Sequence, residues 1–220
     1  VVEVCDRILD TNQYDLNAMF FKAGALGYRG RFYVVRDKYL KALSDGKTAY
    51  ELLQECHKMA PGNHDIMLGT GIYNYFAAKF PEEYPIVKPL MKFFPDGDKY
   101  LGLLQLQAAA RHARYAATEA DVVRLQIYYQ FEENYTKTYE VAKKLFEEYP
   151  KNPYFHRYVG KSHIIKGRND EAEEIWREIL NRYIDKYPGY DVYAAREALY
   201  YIGYTLMRDR KYQDALKYFY

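Results

Sequence analysis

The side chains able to do chemistry are few here. Beyond the carboxylates, five histidines, two cysteines and the two serines Ser44 and Ser162 are what metal, thiol or serine acyl-transfer chemistry could draw on. His156 and His163 lie seven residues apart, two helical turns and about 10 Å along an axis, too far to share one metal ion without further ligands. They read as packing residues. Cys5 and Cys56 carry no CxxC or Cys/His spacing and read as small buried hydrophobes, with a disulfide between them left open. Neither serine sits in a Gly-x-Ser-x-Gly elbow, and no phosphate-binding glycine loop occurs. Gly69-Thr70-Gly71 falls inside an apolar helical pattern and reads as close helix packing. His64-Asp65, after Pro61-Gly62-Asn63, reads as a helix cap and first turn. Pairs such as Glu82-Glu83 and Glu173-Glu174 have basic neighbours, as solvated helix faces do. No catalytic constellation emerges; the chain reads as non-enzymatic, with no cofactor and no metal.

The elements that would position any site are repeated. His156-x2-Val159-Gly160-x2-His163 is followed by Gly167 and then Ala172-x3-Trp176. Leu199-x2-Ile202-Gly203-x2-Leu206 is followed by Tyr212 and then Ala215-x3-Phe219. The shift is 43 residues at glycine, alanine and aromatic alike. Such self-similarity means stacked supersecondary units. An upstream copy, Val122-x2-Leu125-Gln126-x2-Tyr129 with Tyr135, Thr138, Ala142, Leu145 and Pro150, stands 34 residues from the next.

The spacing resembles the tetratricopeptide repeat (TPR), a helix-turn-helix unit of about 34 residues. In that pattern Gly160 and Gly203 sit where helix A is crossed by its helix B, and Ala172 and Ala215 face them. Trp176 and Phe219 fill the space between one unit and the next. The nine residues added to the last step fall around Asn181 to Tyr193, in a helix B or its connection.

Phe20-x2-Ala23-Gly24-x2-Gly27 opens an earlier helix A whose partner ends near Ala49-x3-Leu53-x2-Cys56. An insertion at about 31–46 reads as an extended helix B interrupted near Ser44-Asp45-Gly46. A further unit starts at Asp65 to Tyr73. Pro81, Pro85, Pro89 and Pro95 break it, giving a second insertion at about 80–98 before a helix capped by Asp98.

Glu3–Asp10 aligns with Glu140–Glu147, and the chain stops at Phe219-Tyr220. The register therefore begins and ends inside helix B units, as in an excerpt of a longer protein. No stretch is apolar enough to span a membrane. A net charge of +2 from 32 basic and 30 acidic residues argues against nucleic acid as a partner. The 27 tyrosines suit helix seams and groove walls, where a ring is buried and its hydroxyl wet.

Phe93-Phe94-Pro95-Asp96-Gly97-Asp98-Lys99-Tyr100-Leu101-Gly102-Leu103-Leu104-Gln105-Leu106 resembles the Gly-Asp-basic-x2-Gly-Leu-x2-Leu signature of the tetratricopeptide repeat protein 39 family, over about Leu68 to Tyr129. The resemblance implies a eukaryotic family linked to the mitochondrial outer membrane and lipid inclusions, without established catalytic residues. That family's long amino-terminal portion is not evident here. The same residues have a physical reading: Gly97 turns the chain, Asp98 caps, Gly102 permits close approach and the leucines pack.

The expected architecture is all-α, a right-handed superhelical solenoid of TPR-like hairpins forming a single domain over 1–220. In TPR arrays the A helices line a concave groove. Residues after the large core position and after the glycine point into it, which selects Arg157, Lys161, Tyr200 and Tyr204. Arg208 and Ile165 lie a turn further on, and Val123 and Ile127 are the upstream equivalents. This basic and aromatic lining suits an extended protein or peptide segment carrying an acidic group. No asparagine completes the Lys/Asn/Arg set of TPR grooves that clamp a terminal carboxylate, so that role is disfavoured. The leading reading is a non-catalytic protein-interaction scaffold. The alternative is a small-ligand or lipid- and membrane-associated repeat protein with a site near Pro81–Gly97. The cellular compartment is not legible.

Overall fold

A computed structural model describes every residue except Ile86, Val87, Phe93 and Tyr220, and the backbone alone of Leu90. Its described residues form twelve helices: α1 Val2–Thr11, α2 Leu16–Val34, α3 Tyr39–Met59, α4 Ile66–Glu83, α5 Lys88–Met91, α6 Lys99–His112, α7 Ala117–Gln130, α8 Tyr135–Glu148, α9 Pro153–Ile165, α10 Asn169–Ile184, α11 Val192–Arg208 and α12 Tyr212–Phe219. No strand occurs among the described residues. None of these helices is long and apolar enough to cross a membrane. The helices group into two compact units, Val1–Val123 and Arg124–Tyr220, with the boundary inside α7.

Helices adjacent in the chain pack as hairpins, as in α2 with α3, α8 with α9 and α10 with α11, while α4 pairs with α6 across the short α5. In the second unit the hairpins close on glycine. A methyl group built on Gly160 would lie 2.7 Å from Trp176 Cε2, and one on Gly203 would lie 2.8 Å from the Phe219 ring. Trp176 is fully buried and also stacks on Tyr201, with centroids 4.6 Å apart. The aromatic side chain thus fills the glycine notch of its own hairpin as well as the seam to the next. In the first unit α4 and α6 cross at Gly71 and Gly102, where added methyls would meet backbone atoms at 3.0 and 2.6 Å.

One backbone device ends α2, α7, α9 and α11, and recurs after α10 at Lys186, with φ of 56°. Asp37, Glu133, Gly167 and Arg210, in the turns after α2, α7, α9 and α11, are left-handed, with φ of 56°, 48°, 68° and 62°. The next N–H then reaches back to close the helix, as in Lys38 to Tyr33 at 2.9 Å, Arg168 to His163 at 3.0 Å and Lys211 to Leu206 at 2.9 Å. This is a Schellman closure, and only at Gly167 does it escape the Cβ penalty of about 1–2 kcal/mol.

The first insertion differs from its sequence reading. α3 runs unbroken through Ser44-Asp45-Gly46, and the turn lies at Val35–Lys38. Arg29 explains the continuity: its guanidinium donates to both oxygens of Asp45 at 2.7 and 2.8 Å, pinning α3 to α2 at the very residue expected to break it. At the second insertion α4 continues two residues past Pro81, because a proline in a last turn disturbs little helix. Asp98 caps α6 as expected, accepting from Leu101 N at 3.0 Å. Gly97 serves less as a turn than as a close contact, since a methyl there would lie 2.5 Å from Asn74 O.

Asp65 also departs from its expected role. It sits at the start of α4, yet its buried carboxylate accepts from Arg114, Tyr115 and Ala116 N at 3.3, 2.8 and 2.7 Å. It therefore caps the start of α7 from across the unit. Cys5 and Cys56 are free and buried, and burial pushes the Cys56 thiol up to about 11.

The nine added residues of the last repeat are shared out. α10 is 16 residues against 14 for α8, and α11 is 17 against 13 for α9; the remaining three lengthen the α10–α11 connection. That connection delivers Tyr190 onto His156. The imidazole is 1% exposed, stacks on Phe146 with centroids 4.3 Å apart, and pairs Nδ1 with the Tyr190 hydroxyl at 3.1 Å. Its Nε2 makes no hydrogen bond and faces Glu178 at 3.5 Å. Burial lowers the pKa to about 4, against the opposing pull of Glu178 and with the help of Arg182. Glu178 is half exposed and bonded to Arg182 at 2.5 Å, so the ring stays neutral and no ion pair forms at neutral pH.

Two outcomes follow for stability. Gly160→Ala forces the methyl into a rigid indole and costs about 1–3 kcal/mol, read as a lower thermal midpoint. For His156, the unfolded chain binds its proton near pH 6.5 and the folded chain only near 4. Stability is therefore full above pH 6.5 and falls, by up to about 3 kcal/mol, as the pH drops through that window. Denaturant titrations from pH 7 to 4 measure the slope, and His156→Phe flattens it.

Candidate functional site

The A helices of the second unit bring together the basic residues selected by the repeat register. Arg157 and Lys161 lie one turn apart on α9, and α11 supplies what the sequence reading missed. Glu197 takes a hydrogen bond from Arg157 Nε through one oxygen and from Lys161 Nζ, at 2.8 Å, through the other. Side-chain exposures of 28% for Arg157, 16% for Lys161 and 21% for Glu197 place the triad in a wall rather than on an open rim. Burial alone would raise the Glu197 pKa. The hydrogen bonds and charges of Arg157 and Lys161 outweigh it and hold the carboxyl below its ordinary range.

Tyrosines surround these charges. Lys161 Nζ stands 5.8 Å from the Tyr129 ring centroid and 5.3 Å from that of Tyr158, in cation–π reach. Tyr129 meets Tyr158 edge to face at 5.1 Å, and Tyr158 neighbours Tyr154 at 5.0 Å. Gln126, which replaces the repeat's glycine on α7, donates to the Tyr154 hydroxyl at 2.8 Å. Burial raises the pKa of Tyr129, and of Tyr201 to about 12; the Glu197 charge adds to both, so each hydroxyl stays protonated and able to donate.

Tyr200, Tyr204 and Arg208 form a second strip along α11. Tyr200 is exposed, lies 6.5 Å from Tyr204 in a stacked arrangement, and touches Phe219 edge-on at 6.1 Å. Arg208 donates to the Tyr204 hydroxyl at 3.4 Å. Ile165 is exposed. Val123 and Ile127 correct the register argument: both are buried and belong to the core instead of lining a groove. Their apolar character is the signal, since a β-branched aliphatic pair is core material.

The amino-acid pattern did contain a pointer to Glu197. It lies three residues before Tyr200 and seven before Tyr204, hence on the same helix face. Around Pro81–Gly97, Phe93 lies outside the described residues. Among the residues described there, Tyr73 donates to Pro95 O at 2.8 Å and Lys99 pairs with Glu82 at 3.0 Å.

No protein-family model matches the chain, and no curated protein does. A solved structure titled MamA AMB-1 P212121 superimposes with a TM-score of 0.53 at 16% identity, covering 90% of this chain and 88% of that one. At that identity the likeness shows the fold and no more. The fold is an all-α helical-repeat solenoid of the TPR-like kind.

Proposed function

We propose that this protein is a non-catalytic interaction scaffold whose second unit engages an extended protein segment carrying an acidic group. The observation that carries the reading is the pairing of two cations, Arg157 and Lys161, with the single counter-ion Glu197 in a tyrosine-lined wall. A half-buried patch with one excess positive charge attracts a carboxylate, and tyrosines hold a backbone by ring contact and hydroxyl donation. The α11 strip of Tyr200, Tyr204 and Arg208 extends the same chemistry along one helix face. TPR-like arrays serve protein interaction in general, which supports the class of function without naming a partner.

The test is a comparative capture experiment. Intact protein, Arg157→Glu/Lys161→Glu and Tyr200→Ser/Tyr204→Ser are immobilised after circular dichroism has shown equal helix content. Both variants are expected to lose at least about tenfold of the specifically captured protein, in line with the 1–3 kcal/mol of a charged or aromatic hot spot. An unchanged set of captured proteins in both variants overturns the reading.

A further inference from the structure

Glu197 uses only part of the donor capacity around it. Arg157 reaches it through Nε, one of the five N–H donors of its guanidinium. Lys161 spends one of its three donors on Glu197. Burial and the Glu197 charge keep the Tyr129 and Tyr201 hydroxyls protonated and able to donate. Donor capacity thus remains on both cations beside one internal carboxylate. That is the donor set a foreign carboxylate would need.

We infer that Glu197 is an internal stand-in for the partner's acidic side chain, holding Arg157 and Lys161 in place and competing with the partner for them. The inference rests on the groove reading above and adds to it a named occupant, an aspartate or glutamate on an extended segment. It also adds a residue that sets the affinity threshold. Charge complementarity argues for that occupant: two cations on one anion leave a single positive charge, which a second carboxylate balances. Neutralising Glu197 doubles the excess charge and frees both cations. A ligand carboxylate then gains attraction where it formerly met a like charge a few ångströms away.

The prediction runs against ordinary mutational experience, since removing a residue of the binding wall strengthens binding. The probe is a fluorescein-labelled acetyl-Gly-Glu-Leu-Glu-Gly-Glu-Leu-Glu-amide, with its all-glutamine counterpart as control, followed by fluorescence anisotropy at low and high salt. The glutamate peptide is expected to bind the wild type, and Glu197→Gln about tenfold more tightly and with a steeper salt dependence. Glu197→Gln/Lys161→Gln, whose triad returns to one net positive charge, falls back to wild-type affinity. If Glu197→Gln loses its cooperative melt, Glu197→Ser takes its place, because Arg157 and Lys161 can then extend into solvent. Binding by the wild type with equal or weaker binding by the folded Glu197 variant overturns the stand-in role and leaves the groove reading intact. Absence of glutamate-specific binding in both overturns the groove reading itself.

Discussion

Gly160 and Trp176 impose the constraint on which the second unit depends. With no side chain on α9 at this point, α10 approaches closely enough for an indole to occupy the notch, and a single methyl would stand 2.7 Å from it. The consequence travels outward along the ring. Trp176 stacks on Tyr201 of α11, Glu197 precedes Tyr201 by about one turn of the same helix, and Glu197 reaches back to Arg157 and Lys161 on α9. The charges that give the wall its chemistry are therefore held in register by a packing contact behind them. Close-packed interiors transmit displacement in this way because they have no slack to absorb it.

The inserted residues tighten the same region from the other side. By lengthening α10, its connection and the start of α11, they bring Tyr190 over His156 and let Arg182 donate to both Tyr190 and the Pro150 carbonyl, each at 2.7 Å. α9 is thus gripped on one face by Trp176 and at its first turns by an aromatic and hydrogen-bonded plug. His156 is the weak member, a buried ring with one nitrogen unsatisfied, which is stable only while neutral. Polar groups tolerated at such depth fix a unique packing and make it sensitive to acid.

What was legible in the amino-acid pattern follows from how each signal is encoded. The Gly, Ala and aromatic positions of the last two units were readable because a helix crossing accepts few side chains. The left-handed residues in the turns after α2, α7, α9 and α11 were not, because Asp37, Glu133 and Arg210 carry a Cβ and only Gly167 announces the conformation. The continuity of α3 through Asp45-Gly46 depends on Arg29, sixteen residues away, and local propensity cannot register such a contact. Asp65 gave a correct cap signal for the wrong helix, since a carboxylate caps whichever N-terminus packing brings to it. Within the candidate wall, the repeat register found Arg157 and Lys161 but put the buried Val123 and Ile127 in the same list. Register alone says which way a residue faces; its apolar type says whether that direction is core.

The presence of Glu197 follows from the physics of the unoccupied wall. Arg157 and Lys161 lie one helical turn apart, both largely withdrawn from water, and like charges so placed repel while each forfeits hydration. A carboxylate between them offsets both costs, so the unoccupied protein requires an internal anion. An external anion gains least where an internal one is already best satisfied, and stability of the empty state and affinity for a ligand pull against each other at this point. Splitting the two oxygens of Glu197 between two cations, each of which has further N–H donors, is a compromise between those demands. It neutralises the wall enough to keep it folded and leaves donors for a second carboxylate to find.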